Sequence, residues 1–383
     1  MSKADKEWLL NPFDTLFFRD GKPFGFGQSA YLESIFPPAP QTTQGVVRYN
    51  IILANCKSDS VFQCEGCSIN DCIVPENIGS LNEGEYGSLD LYGPYLVENG
   101  KRYYPIPLDL MQESEGQKRL VSLKPKKKKN VDEWAVDQCD MGKIPLPAKP
   151  DGYTAIKEVK GWIEEDAIFK YLHNQTPPDK RDIRQDSDFF KKEPRVGIGR
   201  DYATHTAKEG LLYSIAPLRF KESVSIGVKV KGIDESLQPK HNSTKFGGEG
   251  RVCKLVIQDA APSGAVKLES KDKHIKMLLL QPADFDGWLP PGFKDNGSML
   301  WEGSINGVTL RLISACIGKP QKIGGWDMAS GSSKAIKSYV PAGSIYFFEV
   351  INGDITSLAT EGKIGANTAI GFGHYMLGRW SDV

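Results

Sequence analysis

Short apolar segments rich in β-branched and aromatic residues fill the second half of the chain, and they constrain its fold more than any other feature. They are LLYSIAPLRF (211–220), SVSIGVKV (223–230), RVCKLVIQ (251–258), HIKMLLL (274–280), VTLRLISACIG (308–318) and SIYFFEVI (344–351). Each is short for a helix and is bounded by Gly, Pro or polar residues, so each reads as a strand. Helical spacing is confined to two places. Near Thr42 a helix begins, with Thr42 or Thr43 accepting the free N–H groups of its first turn, and it runs through Ala54. Val46, Val47, Ile51, Ile52 and Leu53 cover much of its circumference, which predicts burial. The second helix is GWIEEDAIFKYL, from Gly161.

Many strands and few helices predict an α+β fold of antiparallel sheets covered by helices on one face. No strict repeat is visible, and a pair of diverged ferredoxin-like units is compatible with the pattern. The expected division is a first domain over 1–190 and a second over 191–383, with residues 56–160 as an insertion in the first. TLFFRD (Thr15 to Asp20) reads as the opening strand, and the polar stretch from Pro177 to Glu193 as a mobile loop.

With 383 residues, 40% of them hydrophobic, the chain can bury two ordinary cores. Its 48 basic residues balance 48 acidic ones, so any polyanion must be met by local clusters of cations. No run of 18 apolar residues is present and MSKADKEW lacks the apolar core of a signal peptide, which predicts a cytoplasmic protein without a membrane partner. In a reducing compartment Cys56, Cys64, Cys67 and Cys72 read as metal ligands before disulfides. Their spacing suits a closed, structural zinc site; an iron–sulfur cluster or free thiols are the alternatives.

Four segments together resemble the family of the third Cmr subunit, a Cas-five-like branch of the RAMP proteins. They are NPFDTLFFRDGKPF with IFPPAPQTTQGVVR (11–24 and 35–48), RVGIGRDYATHTAKEGLLY (195–213), FGGEGR (246–251) and GKIGANTAIGFGHYMLGRW (362–380). The resemblance implies a ferredoxin-like RAMP fold and membership of a type III-B CRISPR effector. It also implies docking on the large polymerase-palm subunit beside a neighbouring RAMP backbone subunit, and a grip on the 5′ repeat-derived tag of the guide RNA.

Candidate contacts follow from the residues. Gln41, Gln44 and Arg48 recur at helical spacing beside the first-turn donors, where Thr42 and Thr43 also lie and where a phosphate is attracted; Arg19 can join them. A capped core helix with a solvated face is the plainer reading. Gly365, Asn367, Gly371, Phe372 and Gly373 belong to a glycine run that permits close approach of backbone to a sugar-phosphate chain, or that simply turns a strand. Arg195, Arg200, Tyr202 and His205 combine cations with rings on which a base can stack, or form an ordinary hairpin. Glu249 and Arg251 brace the FGGEGR loop or meet a partner, since no paired carboxylates follow it as a cyclase would need. The run from Lys124 to Lys129 reads as a solvated loop. No histidine sits in a triad; His205 and His374 alone fall inside the matched segments, so a non-catalytic subunit is expected. A metal-independent guide-processing endonuclease and a structural adaptor without RNA contact are the rivals.

Overall fold

The computed structural model describes residues 4–19, 30–56, 73–79, 84–116, 118–125, 147–149, 152, 155–201, 203–262, 264, 266–296, 300–327 and 331–381. The fold is α+β, with mostly antiparallel sheets and few helices.

In chain order the first half supplies β1 (Lys6–Pro12), α1 (Pro40–Asn55), β2 (Asp90–Glu98), β3 (Lys101–Pro105) and α2 (Glu165–Asn174). There follow β4 (Arg195–Arg200), β5 (Ala207–Ala216), β6 (Val224–Lys231) and β7 (Val252–Asp259). The second half supplies β8 (His274–Leu279), β9 (Val308–Cys316), β10 (Gln321–Asp327) and β11 (Ser332–Tyr339), then β12 (Ile345–Asn352), β13 (Glu361–Lys363) and β14 (His374–Arg379).

An 8-stranded sheet has the central order β3-β2-β6-β1-β7. A 7-stranded sheet has the order β9-β12-β8-β14-β13 at one end. In both sheets the first strand lies between the third and the fourth, and the second strand lies outside the third. β1 pairs antiparallel with β6 and β7, just as β8 pairs with β12 and β14. In both halves a long connection joins the second of these four strands to the third; in the first half it also adds β3 and two short strands, Trp162–Glu164 and Ile183–Arg184, to the same sheet. The first connection carries α2 and the β4–β5 hairpin; the second carries the β10–β11 hairpin.

Strand alternation divides the core. On β2, Leu91 and Leu96 turn toward α1, whose Val46, Val47 and Ile51 are buried against them. Tyr95 and Val97 turn the other way and join α2 (Ile168, Tyr171, Leu172) and the second sheet in a single cluster. Each fully buried aliphatic side chain of α1 is worth about 1.5–3 kcal/mol. One buried polar cluster is well paired: Arg102 Nε meets Glu7 Oε1 at 2.9 Å, and Tyr95 and Gln258 donate to the same carboxylate. Asn50 on α1 is buried, donates to Thr244 Oγ1 at 2.7 Å, and so ties the helix to the sheet edge.

Several expectations are corrected. A division at residue 190 is not a sheet boundary, because β6 and β7 occupy the middle of the first sheet. Residues 56–160 are not an excursion as a whole: β2 and β3 lie within them and are integral strands. The opening strand is β1, while the strand at Thr15 is only Thr15–Leu16. The stretch 177–193 is ordered into Lys180–Asp182, Ile183–Arg184 and Asp186–Phe189, with Phe189 fully buried as its anchor.

Candidate nucleic-acid interface

α1 begins at Pro40, not at Thr42. Proline tolerates the first helical position because the N–H it lacks would have no helical partner there. Ala39 is the N-cap, no side chain caps the end, and no acid occupies the first turn. Thr43 is therefore not a cap; its buried hydroxyl donates back to the Pro40 carbonyl at 2.7 Å. Thr42, Gln44 and Arg48 are half-buried, the last two on one face. Gln41 turns aside, and its amide donates to the Gly324 carbonyl on β10. Arg19 is exposed.

The glycine run meets this helix end. A Cβ on Gly371 would lie 3.4 Å from Pro40 Cβ and 2.7 Å from the Gly93 carbonyl oxygen, and its φ of +108° is one that glycine tolerates. Gly373 is closed off by the Ile364 carbonyl, and Gly365 by that of Asp284. Phe372 is buried and stacks on Tyr339 with ring centroids 4.8 Å apart, among Ile323, Ile370, Ala39 and Tyr86. Tyr86 donates to Asn367 Oδ1 at 3.3 Å. The sequence pattern has this run presenting glycines to a ligand. Instead Gly371, Phe372 and Gly373 are buried by the chain itself, because its own carbonyls and rings fill the space left by the absent side chains. What stays accessible is the half-buried part around Gly365 and Asn367.

The β4–β5 hairpin carries the third group. It pairs with the short strand Ala30–Glu33 and leaves Val196, Ile198 and Leu212 more than half exposed. Ile198 lies opposite Leu212, so these apolar groups share a face. The turn is preset: Asp201 accepts from the N–H groups of Ala203 and Thr204, and Arg200 donates through Nε and Nη2 to the His205 carbonyl. His205, at φ 56°, is exposed at this turn. Tyr202 lies outside the described residues.

At the hairpin root Arg195 and Arg251, far apart in sequence, converge on Asp14 at 3.5 and 3.2 Å, with Arg219 at 2.8 Å. Glu193 completes the network, and hydrogen bonds from Arg219 and Arg195 pull its carboxyl down to about 2. Three guanidinium groups against two carboxylates leave one positive charge in excess. The FGGEGR loop rests on the Phe17 backbone, with Gly248 N donating to its carbonyl at 2.8 Å.

His374 is fully buried. Its Nε2 lies 2.8 Å from Glu361 Oε1, and Tyr92 meets its ring edge-on. Cys56 follows α1, its N–H donating to the Ile52 carbonyl; Cys64, Cys67 and Cys72 lie outside the described residues. Most of the Lys124 to Lys129 run also lies outside them, although Lys124–Pro125 forms a short strand.

Sequence reasoning missed the β10–β11 ribbon. Four lysines and one aspartate fall between residues 319 and 339, and Trp326 is 61% exposed. The signal was present as a Gly- and Ser-rich segment between two apolar strands, with lysines at both flanks.

Antiparallel sheets with few helices and cation-bearing hairpins define an α+β protein whose fold is compatible with the RAMP type. The profile of the CRISPR-associated protein (Cas_Cmr3) family matches residues 8–380, and the chain belongs to that family, that of the third subunit of the type III-B Cmr effector. A curated relative, the CRISPR system CMR subunit Cmr3 of Saccharolobus solfataricus, is 24% identical over 378 residues and 95% of each chain. A chain from the cryo-EM structure of the type III-B Cmr-beta bound to cognate target RNA shares the fold, with a TM-score of 0.50 at 17% identity, covering 97% of this chain and 96% of that one.

Among the described residues no helix is long and apolar enough to cross a membrane.

Proposed function

We propose that the chain is a non-catalytic, cytoplasmic subunit that grips the 5′ repeat-derived tag of the guide RNA and docks on the large polymerase-palm subunit beside a neighbouring RAMP backbone subunit. The observation that carries the RNA grip is the β4–β5 hairpin. It exposes apolar side chains on a face with no core behind it, holds its turn with Arg200, and roots in an arginine network. Bases splayed from a single strand stack on such a face while cations take the phosphates. The uncapped first turn of α1, with Thr42, Gln44, Arg48 and exposed Arg19, supplies a second anion-attracting element, and Asn367 borders it across the Tyr86 contact.

The finer fold belongs to the same reading. β2-β6-β1-β7 and β9-β12-β8-β14 each follow the strand order of a ferredoxin-like βαββαβ unit, with α1 as the crossover in the first. The second unit replaces its helices with irregular chain and short turns such as Thr368–Ile370. Cys56, Cys64, Cys67 and Cys72 are read as a structural zinc site that fastens the chain beyond α1.

A non-catalytic role fits the histidines. His374 is sealed from any substrate, and His205 stands at an exposed turn without a carboxylate partner among the described residues.

The test combines Arg48→Glu, Arg200→Glu and Gln44→Glu in the assembled complex and measures how much guide RNA stays bound. Loss of guide is the expected result; full retention leaves a structural adaptor. Cleavage of repeat RNA by the isolated chain, abolished by His205→Ala, would instead favour the endonuclease.

A further inference from the structure

We infer that the β10–β11 ribbon is a second single-stranded RNA contact, in which Trp326 stacks on a base and Lys322 and Lys337 take phosphates. It rests on the RNA-binding reading above.

Position is the first argument. The ribbon lies in the connection from β9 to β12, and the β4–β5 hairpin in the connection from β2 to β6, strands that hold matching places in the two sheets. Its root is fixed: Ile323 and Tyr339 are buried with Ile370 and Phe372, and Gln41 of α1 holds the Gly324 carbonyl. The ribbon is thereby anchored to the helix end already assigned to RNA.

Exposure is the second. Every residue from Ser332 through Ser338 is exposed, Trp326 is 61% exposed and Ile336 47%. Beyond the root formed by Ile323 and Tyr339 the ribbon buries little, and an isolated two-stranded ribbon is marginal in water, so core packing does not account for its outer part.

Charge and register select the occupant. In a chain with equal numbers of acids and bases, four lysines to one aspartate over residues 319–339 is a local cationic excess. Trp326 lies opposite Ser333 and Lys322 opposite Ser338, so these two side chains face small ones and have room for a flat or anionic group, while Lys337 stands exposed opposite Ile323. Lysine is depleted in the cores of protein–protein interfaces, whereas cations interleaved with an aromatic ring suit a single strand.

The experiment follows binding of a fluorescent single-stranded oligoribonucleotide to the full chain across a salt series. Trp326→Ala is expected to weaken binding about tenfold. Lys322→Gln with Lys337→Gln is expected to flatten the log–log salt slope by about 1.4, at about 0.7 for each phosphate that the variant no longer neutralises. Both substitutions are at exposed positions, and an unchanged thermal midpoint establishes that the fold is intact. Wild-type binding by the ribbon variants, with weakened binding in an Arg48→Gln, Arg200→Gln variant, overturns the ribbon contact and leaves the RNA-binding reading standing. Wild-type behaviour in every variant, or no binding by the unaltered chain, removes both. Ribbon variants that keep RNA but no longer co-purify with their neighbouring subunits identify a protein-docking surface and overturn the inference.

Discussion

Asp109 and Lys276 form an ion pair with side chains 0% and 3% exposed, their charged atoms 3.2 Å apart, under the ring of Tyr171. Burial lowers the ammonium pKa and the carboxylate opposes that shift. Removing one partner strands the other, so Lys276→Met is expected to cost about 3–5 kcal/mol in urea unfolding, with part recovered by adding Asp109→Leu. His374 gives a pH signature. Burial holds its imidazole below its ordinary value, against the pull of Glu361, with Lys363 and Lys229 also nearby. The unfolded chain binds a proton near pH 6.5 that the folded chain refuses, so the stability from His374 is present above that pH and is lost as pH falls toward the lowered value. The fall in thermal midpoint between about pH 7.5 and about pH 5.5 should therefore be smaller in His374→Gln; an equal fall would remove His374 from the acid response. Gly371 is a third residue whose role is packing. An added Cβ meets the Gly93 carbonyl at 2.7 Å on a backbone of positive φ, so Gly371→Ala should lower stability by at least about 1–3 kcal/mol. Loss of guide RNA in such a variant reports a disturbed fold, which is why the RNA test leaves the glycines unaltered. The four-cysteine reading is checked by metal content: one zinc per chain, absent from a Cys64→Ser, Cys67→Ser variant, is the expected result, and zinc-free protein of equal stability would return these residues to free thiols.

Elements show which parts of the sequence were legible. The six strand runs from residue 211 onward were readable because they are apolar, continuous and bounded by turn residues, and they became the end of β5 with Leu218–Phe220, then β6, β7, β8, β9 and β12. α1 was readable from Val46, Val47 and Ile51, but its start was not, since PPAPQTT offers proline and threonine as rival signals and Pro40 takes the first position. β1 was missed: KEWLLNP places charge at one end and proline at the other, and Glu7 is buried only because Arg102, Tyr95 and Gln258 satisfy it from distant strands. β2 was missed for a related reason, because DLYGPYLVE carries an internal Gly-Pro that ordinarily argues against a central strand. The hairpin at 195–216 was located correctly as an element, whereas its meeting with Arg251 at Asp14 was invisible, since nothing local couples residues so far apart. The glycine run was legible as a special backbone. Which atoms fill its gaps, Gly93 O and Ile364 O, depends on how two sheets meet.

The whole molecule is held by a seam between the sheets. Tyr95, Val97 and Tyr104 from the first sheet, Ile168 and Leu172 from α2, and Ile275, Phe347 and Leu377 from the second lie in one continuous apolar cluster. α2 is the wedge: its Leu172 occupies the space where Gly378 of β14 would carry a Cβ, only 2.6 Å away. Polar ties cross the same seam, with Lys363 of β13 bonded to Asp90 of β2 and Gln281 donating to the Pro94 carbonyl at 2.7 Å. The first half keeps a cluster of its own around α1, but the other face of its sheet and the second sheet share the one at the seam. Cutting near residue 262 would expose the faces of Tyr95 and Tyr104 on one side and of Leu377 on the other, at a cost of about 25 cal/mol for each Å² returned to water. The chain should then unfold in a single cooperative transition by calorimetry, and fragments 1–262 and 266–383 should each fail to fold alone yet recover a native circular dichroism spectrum when mixed. Two resolved transitions, or a soluble folded fragment, would make the halves independent domains. In the cooperative case α1, the glycine run and both hairpins hold fixed positions relative to one another, the rigidity that the proposed RNA contacts on both halves call for.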